Sequence, residues 1–392
     1  MVISEIKKGV YGMIIHDWDR KLFDELIPLP DGTTYNSYFI RDEKNVLIDT
    51  ADPSKTMDLV RGLEKIGVDR IDYIVSNHSE QDHSGSIPEM LKRFPGSRVL
   101  AGEKASGLLQ SMLLIPPEKI EKVKNGQSLS IGRRSLVFMD APWAHWPETI
   151  LTYCPEEKIL FPCDLFGSHL AESDFYGRSD GKLYASAKRY YAEIMMPFRS
   201  NIARHLEAVE ALSPEVIAPS HGPVHRNPSF ILDAYRDWVS DKVRNQVVIP
   251  YVSMHGSVAA MVDFFTNRLI DQGVGAKPFN LVSSDVGELA SSLVDAATVV
   301  IGSPMVLTGP HPAALYATYL FRILRPKTRF ASVIGSFGWG GNMLKMITEM
   351  LPGNIEVIEP VIAKGYPLEK DFESLAGLAG KIFEKHEKLG LT

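Results

Sequence analysis

A chain of 392 residues with 45% hydrophobic and 23% charged residues has the make-up of a soluble globular enzyme and the length of two domains. Its net charge of -6 and the lack of any long basic run exclude a nucleic-acid binder, because neutralising phosphates takes a basic stripe. No uncharged apolar stretch reaches about 18 residues, so no membrane span is expected, and the N-terminal "MVISEIKKGVYGM" lacks the apolar core of a signal peptide. Two cysteines, Cys154 and Cys163, are too few for a disulfide framework or a built-in four-cysteine iron centre and fit a reducing cytoplasm.

In chain order, "TTYNSYFI" and "NVLIDT" alternate apolar and polar residues around the turn-like "RDEK" and read as paired strands. A helix is expected at Pro53–Ile66, a strand at "DYIVSN", a helix at Ser86–Phe94, then strands at "SRVLAG", "RRSLVFMD", "TILTYCP" and "KILFPCD". A helix over Phe230–Val243 closes this part, and the boundary is set near residue 245. Beyond it "QVVIPYV" is a continuous apolar run, the signature of a strand buried on both faces. Helices near Ser257–Gln272, Gly287–Leu293, Pro312–Leu324, Gly341–Leu351 and Leu368–Leu389 then alternate with strands "KPFNLV", "ATVVIGS", "RFASVIGS" and "IEVIEPV". Five strands and five helices in this order predict a doubly wound parallel sheet over 246–392.

The chemistry concentrates in the first part, 1–245. "HSEQDH" places His78, Glu80, Asp82 and His83 within six positions of a strand end. Three more polar groups follow later strand ends: His145 in "APWAHWPET", Asp164 in "LFPCDLFGS" and His221 in "IAPSHGPVHR". Loops at the carboxyl ends of strands are where a layered sheet gathers reactive side chains. Seven candidate ligands exceed one tetrahedral ion and divide into two ions with three terminal ligands each and one shared carboxylate. Asp164 is the expected bridge, since a carboxylate has two oxygens and a neutral imidazole cannot join two metals. Three carboxylates and four imidazoles form a hard donor set that suits iron or manganese better than zinc. Cys163 is expected to be a packing residue, turned to the opposite face if the strand runs on through it.

The pattern H-x-E-x-D-H, followed by His, Asp and His at long spacings, resembles the metallo-β-lactamase-like fold, whose zinc hydrolases carry H-x-H-x-D-H. With Glu80 at the second position, "HWPET", "SHGP", "GTTYN" (32–36) and "RYYAEIMMPF" (189–198), nearly the whole chain is similar to the flavodiiron proteins, or A-type flavoproteins. The resemblance implies an αββα sandwich fused to a C-terminal flavodoxin-like domain. It also implies one iron on His78, Glu80 and His145 nearer the flavin, a second on Asp82, His83 and His221, and Asp164 between them. Tyr191 is implied as a pocket residue. Family members often carry a His-Gly pair before "GTTYN"; here that segment is "KLFDELIPLPDG", and Asp24 or Glu25 stands near its place.

In the second part, the turn after the first strand carries Ser253, Met254, His255, Gly256, Ser257 and Val258. A helix N-terminus with hydroxyls and free amides can cradle a phosphate without Lys or Arg. The switch point of a flavodoxin-like sheet is where flavin mononucleotide (FMN) binds. The loops after strands three and four are then expected to hold its ring: Ser303, Pro304, Met305, Val306 and Leu307, and Ser336, Phe337, Gly338, Trp339, Gly340 and Gly341, with Trp339 as a stacking partner.

FMN and two iron ions in one chain imply an oxidoreductase that reduces dioxygen to water, nitric oxide to nitrous oxide, or both. Without a C-x-x-C pair the electron donor is external, and the resemblance implies a rubredoxin or a reduced deazaflavin. A short, stiff link near residue 245 favours a head-to-tail homodimer or dimer of dimers in which the flavin of one chain serves the irons of another. The alternatives are a zinc-dependent hydrolase with a non-catalytic flavodoxin domain and an electron carrier with a structural metal.

Overall fold

The structure, a computed structural model, describes all 392 residues. The chain divides into two compact units, Met1–Val239 and Ser240–Thr392. The helix expected to reach residue 243 stops at Val239, and the next strand begins at Arg244.

The first unit holds two sheets. In the seven-stranded sheet, Val2–Lys7, Val10–Asp17, Thr33–Ile40, Val46–Ile48, Tyr73–Ser76, Arg98–Gly102 and Ile120–Val123 lie side by side in chain order. The five-stranded sheet runs Ser128–Ser130, Ser135–Asp140, Ile150–Cys154, Ile159–Phe161 and Val216–Ile217. Period-two alternation sorts the side chains of the larger sheet into two cores. Ile14, Tyr38, Ile40, Ile48, Val75 and Leu100 face Leu136, Phe138, Ile150, Ile159 and Phe161 of the other sheet. Met13, Ile15, Phe39, Leu47, Ile74 and Val99 face Leu59, Leu63, Met90 and Leu109 on the helices that cover the outside. This layered packing is the αββα sandwich. The polar loops at the strand ends are free to carry chemistry because burial of the apolar faces, at roughly 25 cal/mol per Å2, is satisfied within the layers.

The second unit is an open parallel sheet ordered Gly275–Asn280, Arg244–Tyr251, Ala296–Val306, Phe330–Phe337 and a fifth position split into Glu356–Val357 and Val361–Lys364. Pro360 accounts for the split, since proline has no N–H to give to the ladder. Val247, Ile249, Val300 and Ile334 pack on helices Ser257–Asp271 and Glu369–Lys388, while Val248, Val299, Ile301 and Val333 pack on the helices of the other face. Both faces are covered, which is why these strands read as continuous apolar runs. The third strand continues to Val306 and turns back to pair with Gly309–Pro310, so Ser303–Val306 are strand residues rather than the loop expected from "GSPMVLTGP".

Candidate metal centre

Strand Tyr73–Ser76 ends in the loop that delivers His78 and Glu80, and the turn of helix Gln81–Ser84 that follows carries Asp82 and His83. His145 comes from the connection after Ser135–Asp140, Asp164 from the loop after Ile159–Phe161, and His221 from the loop after Val216–Ile217. All seven side chains meet in one place, in two groups: His78, Glu80, His145 and Asp164, and Asp82, His83 and His221.

The Asp164 carboxylate stands between the groups. Its Oδ2 lies 3.5 Å from His78 Nε2 and 3.4 Å from His145 Nε2. Its Oδ1 lies 3.0 Å from His83 Nε2 and 3.4 Å from His221 Nε2. Glu80 Oε2 is 3.1 Å from His78 Nε2 and 3.2 Å from His145 Nε2, and the two Asp82 oxygens are 3.2 Å from His83 Nε2 and 3.1 Å from His221 Nε2. Two ligands each about 2.1 Å from one ion stand about 3.0–3.4 Å apart, so this spacing is what a shared cation requires. Both Asp82 oxygens, Asp164 Oδ2, His83 Nε2 and His221 Nε2 are buried without a hydrogen-bond partner. Leaving such atoms dry and unpaired costs about 1–3 kcal/mol each, a penalty that a cation in each group removes. The donor set therefore fits two hard divalent ions.

Surrounding groups orient the imidazoles. His78 Nδ1 donates to Glu148 Oε1 at 2.8 Å, and His221 Nδ1 donates to the Thr34 carbonyl at 2.6 Å, leaving each Nε2 to face the site. Asp49 receives the Asn77 backbone N–H at 2.8 Å and side-chain amide at 2.9 Å, which braces the start of the His78 loop. Burial disfavours charge on His78, His83 and His145, but the carboxylates around them outweigh it and raise all three above the usual imidazole range. Burial likewise opposes the Asp164 and Glu80 charges, and the neighbouring imidazoles overcome it and hold both carboxyls below their usual range.

Two expectations change. Tyr191 does not face the ligands; its hydroxyl donates to the Trp238 carbonyl at 3.3 Å and its ring packs on Tyr235 and Trp238. The preceding residue, Tyr190, donates to Asp164 Oδ1 at 2.9 Å. Adjacent helical positions point about 100° apart, so only one of the pair can reach the site. Cys163 does not take the opposite strand face either, because the strand stops at Phe161 and Cys163 has a left-handed backbone, φ 52°. Its sulfur lies within 4.8 Å of ligand atoms of His83 and Asp164. Near "GTTYN", a hairpin of Leu22–Phe23 and Ile27–Pro28 turns at Asp24 and Glu25, and Phe23 packs on His169, whose ring is 5.0 Å from that of His221. Lost hydration, then the charges of Glu80 and Asp82, raise the Asp24 carboxyl. Glu148, Asp49, Tyr190 and His169 were not singled out in the sequence; Glu148 was visible only as the carboxylate three residues beyond His145.

In the second unit a cleft of about 240 Å3 opens at the carboxyl ends of the strands, lined by Ser253, Met254, His255, Ser257, Val258, Pro304, Met305, Ser336, Phe337, Gly338, Trp339 and Gly365. Gly256, at φ 89°, caps the helix Ser257–Asp271, and the Ser253 hydroxyl accepts the Ala259 N–H at 3.1 Å. That arrangement of a left-handed glycine and a helix N-terminus is a cradle for a phosphate. Trp339, on the cleft wall, is 68% exposed and offers a flat apolar face. These features fit a flavin phosphate and ring. Ser303 is turned inward, accepting from His311 N, and Gly256, Val306, Leu307, Gly340 and Gly341 lie outside the lining; Gly365 is an addition.

A family model described as "ODP family beta lactamase" matches residues 33–222. A nitric oxide reductase of Moorella thermoacetica is 34% identical over 96% of this chain and 98% of its own. A coenzyme F420H(2) oxidase of Methanothermobacter marburgensis is 31% identical over 89% of each chain. Among solved structures, the rubredoxin oxygen:oxidoreductase of Desulfovibrio gigas superimposes with a TM-score of 0.96 at 28% identity over 99% of both chains. The flavodiiron protein of Giardia intestinalis does so with a TM-score of 0.89 at 25% identity over 98% of both.

Proposed function

The chain belongs to the flavodiiron protein family, and from that premise we propose that it passes electrons from an external donor through FMN to a non-haem diiron centre that reduces dioxygen to water, nitric oxide to nitrous oxide, or both. The observation that carries the reading is the Asp164 carboxylate, with one oxygen turned to each group of three ligands. His78, Glu80 and His145 would hold one iron, Asp82, His83 and His221 the other, and Asp164 both. The cleft of the second unit would hold FMN, its phosphate at Ser253–Ser257 and its ring against Trp339.

When bound, FMN supplies electrons singly or in pairs, and the ferrous ions supply them at the positions where a diatomic gas is taken up. Dioxygen takes four electrons and four protons to give two waters; two nitric oxide molecules take two electrons and two protons to give nitrous oxide and one water. The protein's own part is to hold and shield. Glu148 and the Thr34 carbonyl fix His78 and His221 in the tautomer with Nε2 free. Tyr190 holds its proton on the Asp164 oxygen, and the buried rings of His169, Phe23 and Tyr190 keep water from that side of the ligands. Glu80 argues against a zinc hydrolase, since an added carboxylate lowers zinc's electrophilicity and matches iron.

A rubredoxin or a reduced deazaflavin fits as the donor, as in the names of the relatives, and the two cysteines, both buried and free, make no four-cysteine iron centre within these residues. No helix is long and apolar enough to cross a membrane, and free thiols suit the cytoplasm. We further assign a head-to-tail homodimer or dimer of dimers: Trp339, Met254 and Leu307 beside the flavin cleft, and Trp143, Leu22 and Leu26 on the metal-bearing unit, leave large apolar side chains exposed. A monomer in sedimentation would remove that assignment. The functional reading is tested by metal and flavin analysis, then anaerobic stopped-flow of the reduced protein against each gas. Two irons and one FMN with rapid reoxidation by at least one gas is the expected result; stoichiometric zinc with hydrolase activity overturns it.

A further inference from the structure

The loop that carries Asp164 contains a strained turn. Gly167 N–H bonds the Asp164 carbonyl at 2.9 Å, closing a four-residue turn in which Phe166, the third residue, has φ 71°. A turn with positive φ at that position is type II and ordinarily takes glycine there. A bulky residue in this region is strained and persists only where its surroundings over-determine it. Gly167 is closely packed as well: a Cβ there would lie 3.0 Å from the Asp164 carbonyl oxygen and 3.4 Å from that of His221, so the loop would have to give by a few tenths of an ångström.

Two buried side chains outside the ligand set grip the strained peptide. Tyr235, on helix Pro228–Val239, accepts the Phe166 N–H on its hydroxyl at 3.2 Å, and the two rings meet edge to face at 4.8 Å. His225 donates from Nε2 to the Phe166 carbonyl at 3.1 Å. Both are buried, at 0% and 4% exposure. The hydrogen bonds of both go to Phe166, not to a candidate ligand. The grip falls two residues after Asp164, and Ser220 N–H, next to His221, ties the Cys163 carbonyl on its other side at 2.9 Å.

We propose that Tyr235 and His225 are positioning residues: by clamping the Phe166 peptide in its left-handed turn, they aim the Asp164 carboxylate so that one oxygen serves each metal position. The inference rests on the diiron reading above and deepens it. Releasing either end of the clamp lets the turn relax toward negative φ and rotates the carboxylate away from one of the two groups. The consequence is specific. The terminal ligands keep their own supports, at Glu148 and Thr34, so one iron is retained while the second is held loosely and the link between them fails.

The test uses the full-length, flavin-loaded protein stripped of metal and titrated anaerobically with ferrous iron. It reads the affinity for the second iron and the magnetic coupling between the pair by Mössbauer and EPR spectroscopy. Tyr235→Phe, which keeps the ring, and His225→Leu are expected to weaken the second iron about 10–100-fold, the range for groups that orient metal ligands, and to reduce the coupling. His225→Gln, which keeps an N–H donor, restores most of both. Tyr184→Phe, which removes the acceptor of the Trp238 Nε1–H on the same helix, changes neither. If His225→Leu does not fold, Tyr235→Phe decides. Wild-type affinity and coupling in Tyr235→Phe, or equal losses in Tyr184→Phe, overturn the inference. A wild-type protein that never binds an iron pair overturns the diiron reading beneath it, a different result.

Discussion

The candidate metal cluster and the candidate flavin cleft are built on opposite principles. In the cluster, His78, His83, Asp164 and His221 are at most 1% exposed, and titratable side-chain atoms converge on two points. In the cleft, no Lys or Arg lines the wall; a helix N-terminus, hydroxyls and glycines do, and Trp339 and Met254 are 68% and 47% exposed. The first site recognises its occupants by donor atoms that nothing else satisfies, so each residue is needed individually. The second recognises by backbone amides and shape, so its binding is spread over many small contacts. Loss of one side chain is therefore severe in the cluster and mild in the cleft.

Asp164→Ala is the largest test of that contrast. It removes the one group placed to touch both ions and leaves their charges facing each other without screening. At least one iron should be lost and gas reduction should fall more than about 100-fold, beyond the range for a residue that merely orients a ligand, while FMN stays at full stoichiometry. Retention of both irons and turnover by this variant, measured by metal analysis and oxygen or nitric oxide electrode, would place the bridge elsewhere.

Proton competition is the next. In the metal-free protein His78, His83 and His145 titrate above their ordinary range, so they hold protons near neutrality. Their contribution to metal-free stability is fully present below about pH 6.5 and is lost as pH rises through the raised folded values. Iron needs neutral imidazoles, so uptake releases these protons and affinity climbs about tenfold per pH unit for each proton displaced. Ferrous titrations at about pH 6 and about pH 8, with a proton indicator, should show both effects; FMN binding over the same range should change far less, and equal pH sensitivity in the two sites would erase the distinction.

The smallest effect belongs to the cleft. Trp339→Ala removes a stacking face worth about 0.5–1.5 kcal/mol, so FMN affinity should weaken only about 2–10-fold, with iron content and coupling unchanged. A complete loss of FMN in equilibrium dialysis would mean that one side chain dominates there as well.

How much of this was legible before the fold was known follows from the same contrast. The convergence of the seven candidate ligands was readable because metal chemistry restricts residue type, and because strands that end in His, Asp or Glu announce where those groups gather. The cleft was readable only as positions along a doubly wound sheet. There the third strand ran three residues further than "ATVVIGS" suggests, to Val306, and took Met305 and Val306 into a hairpin with Gly309–Pro310, since apolar residues serve strand and loop alike. Tyr190 and Tyr191 are equal in sequence, and their helix phase, set by packing on Trp238 and Tyr235, decided which one meets Asp164.

Residue identity and periodicity by themselves determined the two-part architecture and which side chains are candidates to gather around hard metal ions, because burial patterns and donor hardness are properties of side chains taken in order. Which Asp164 oxygen serves which group, the Glu148 and Thr34 supports, and the grip of Tyr235 and His225 on Phe166 were decided only by tertiary structure. These depend on angles at single atoms between segments 59 to 187 residues apart, for which a one-dimensional pattern has no coordinate.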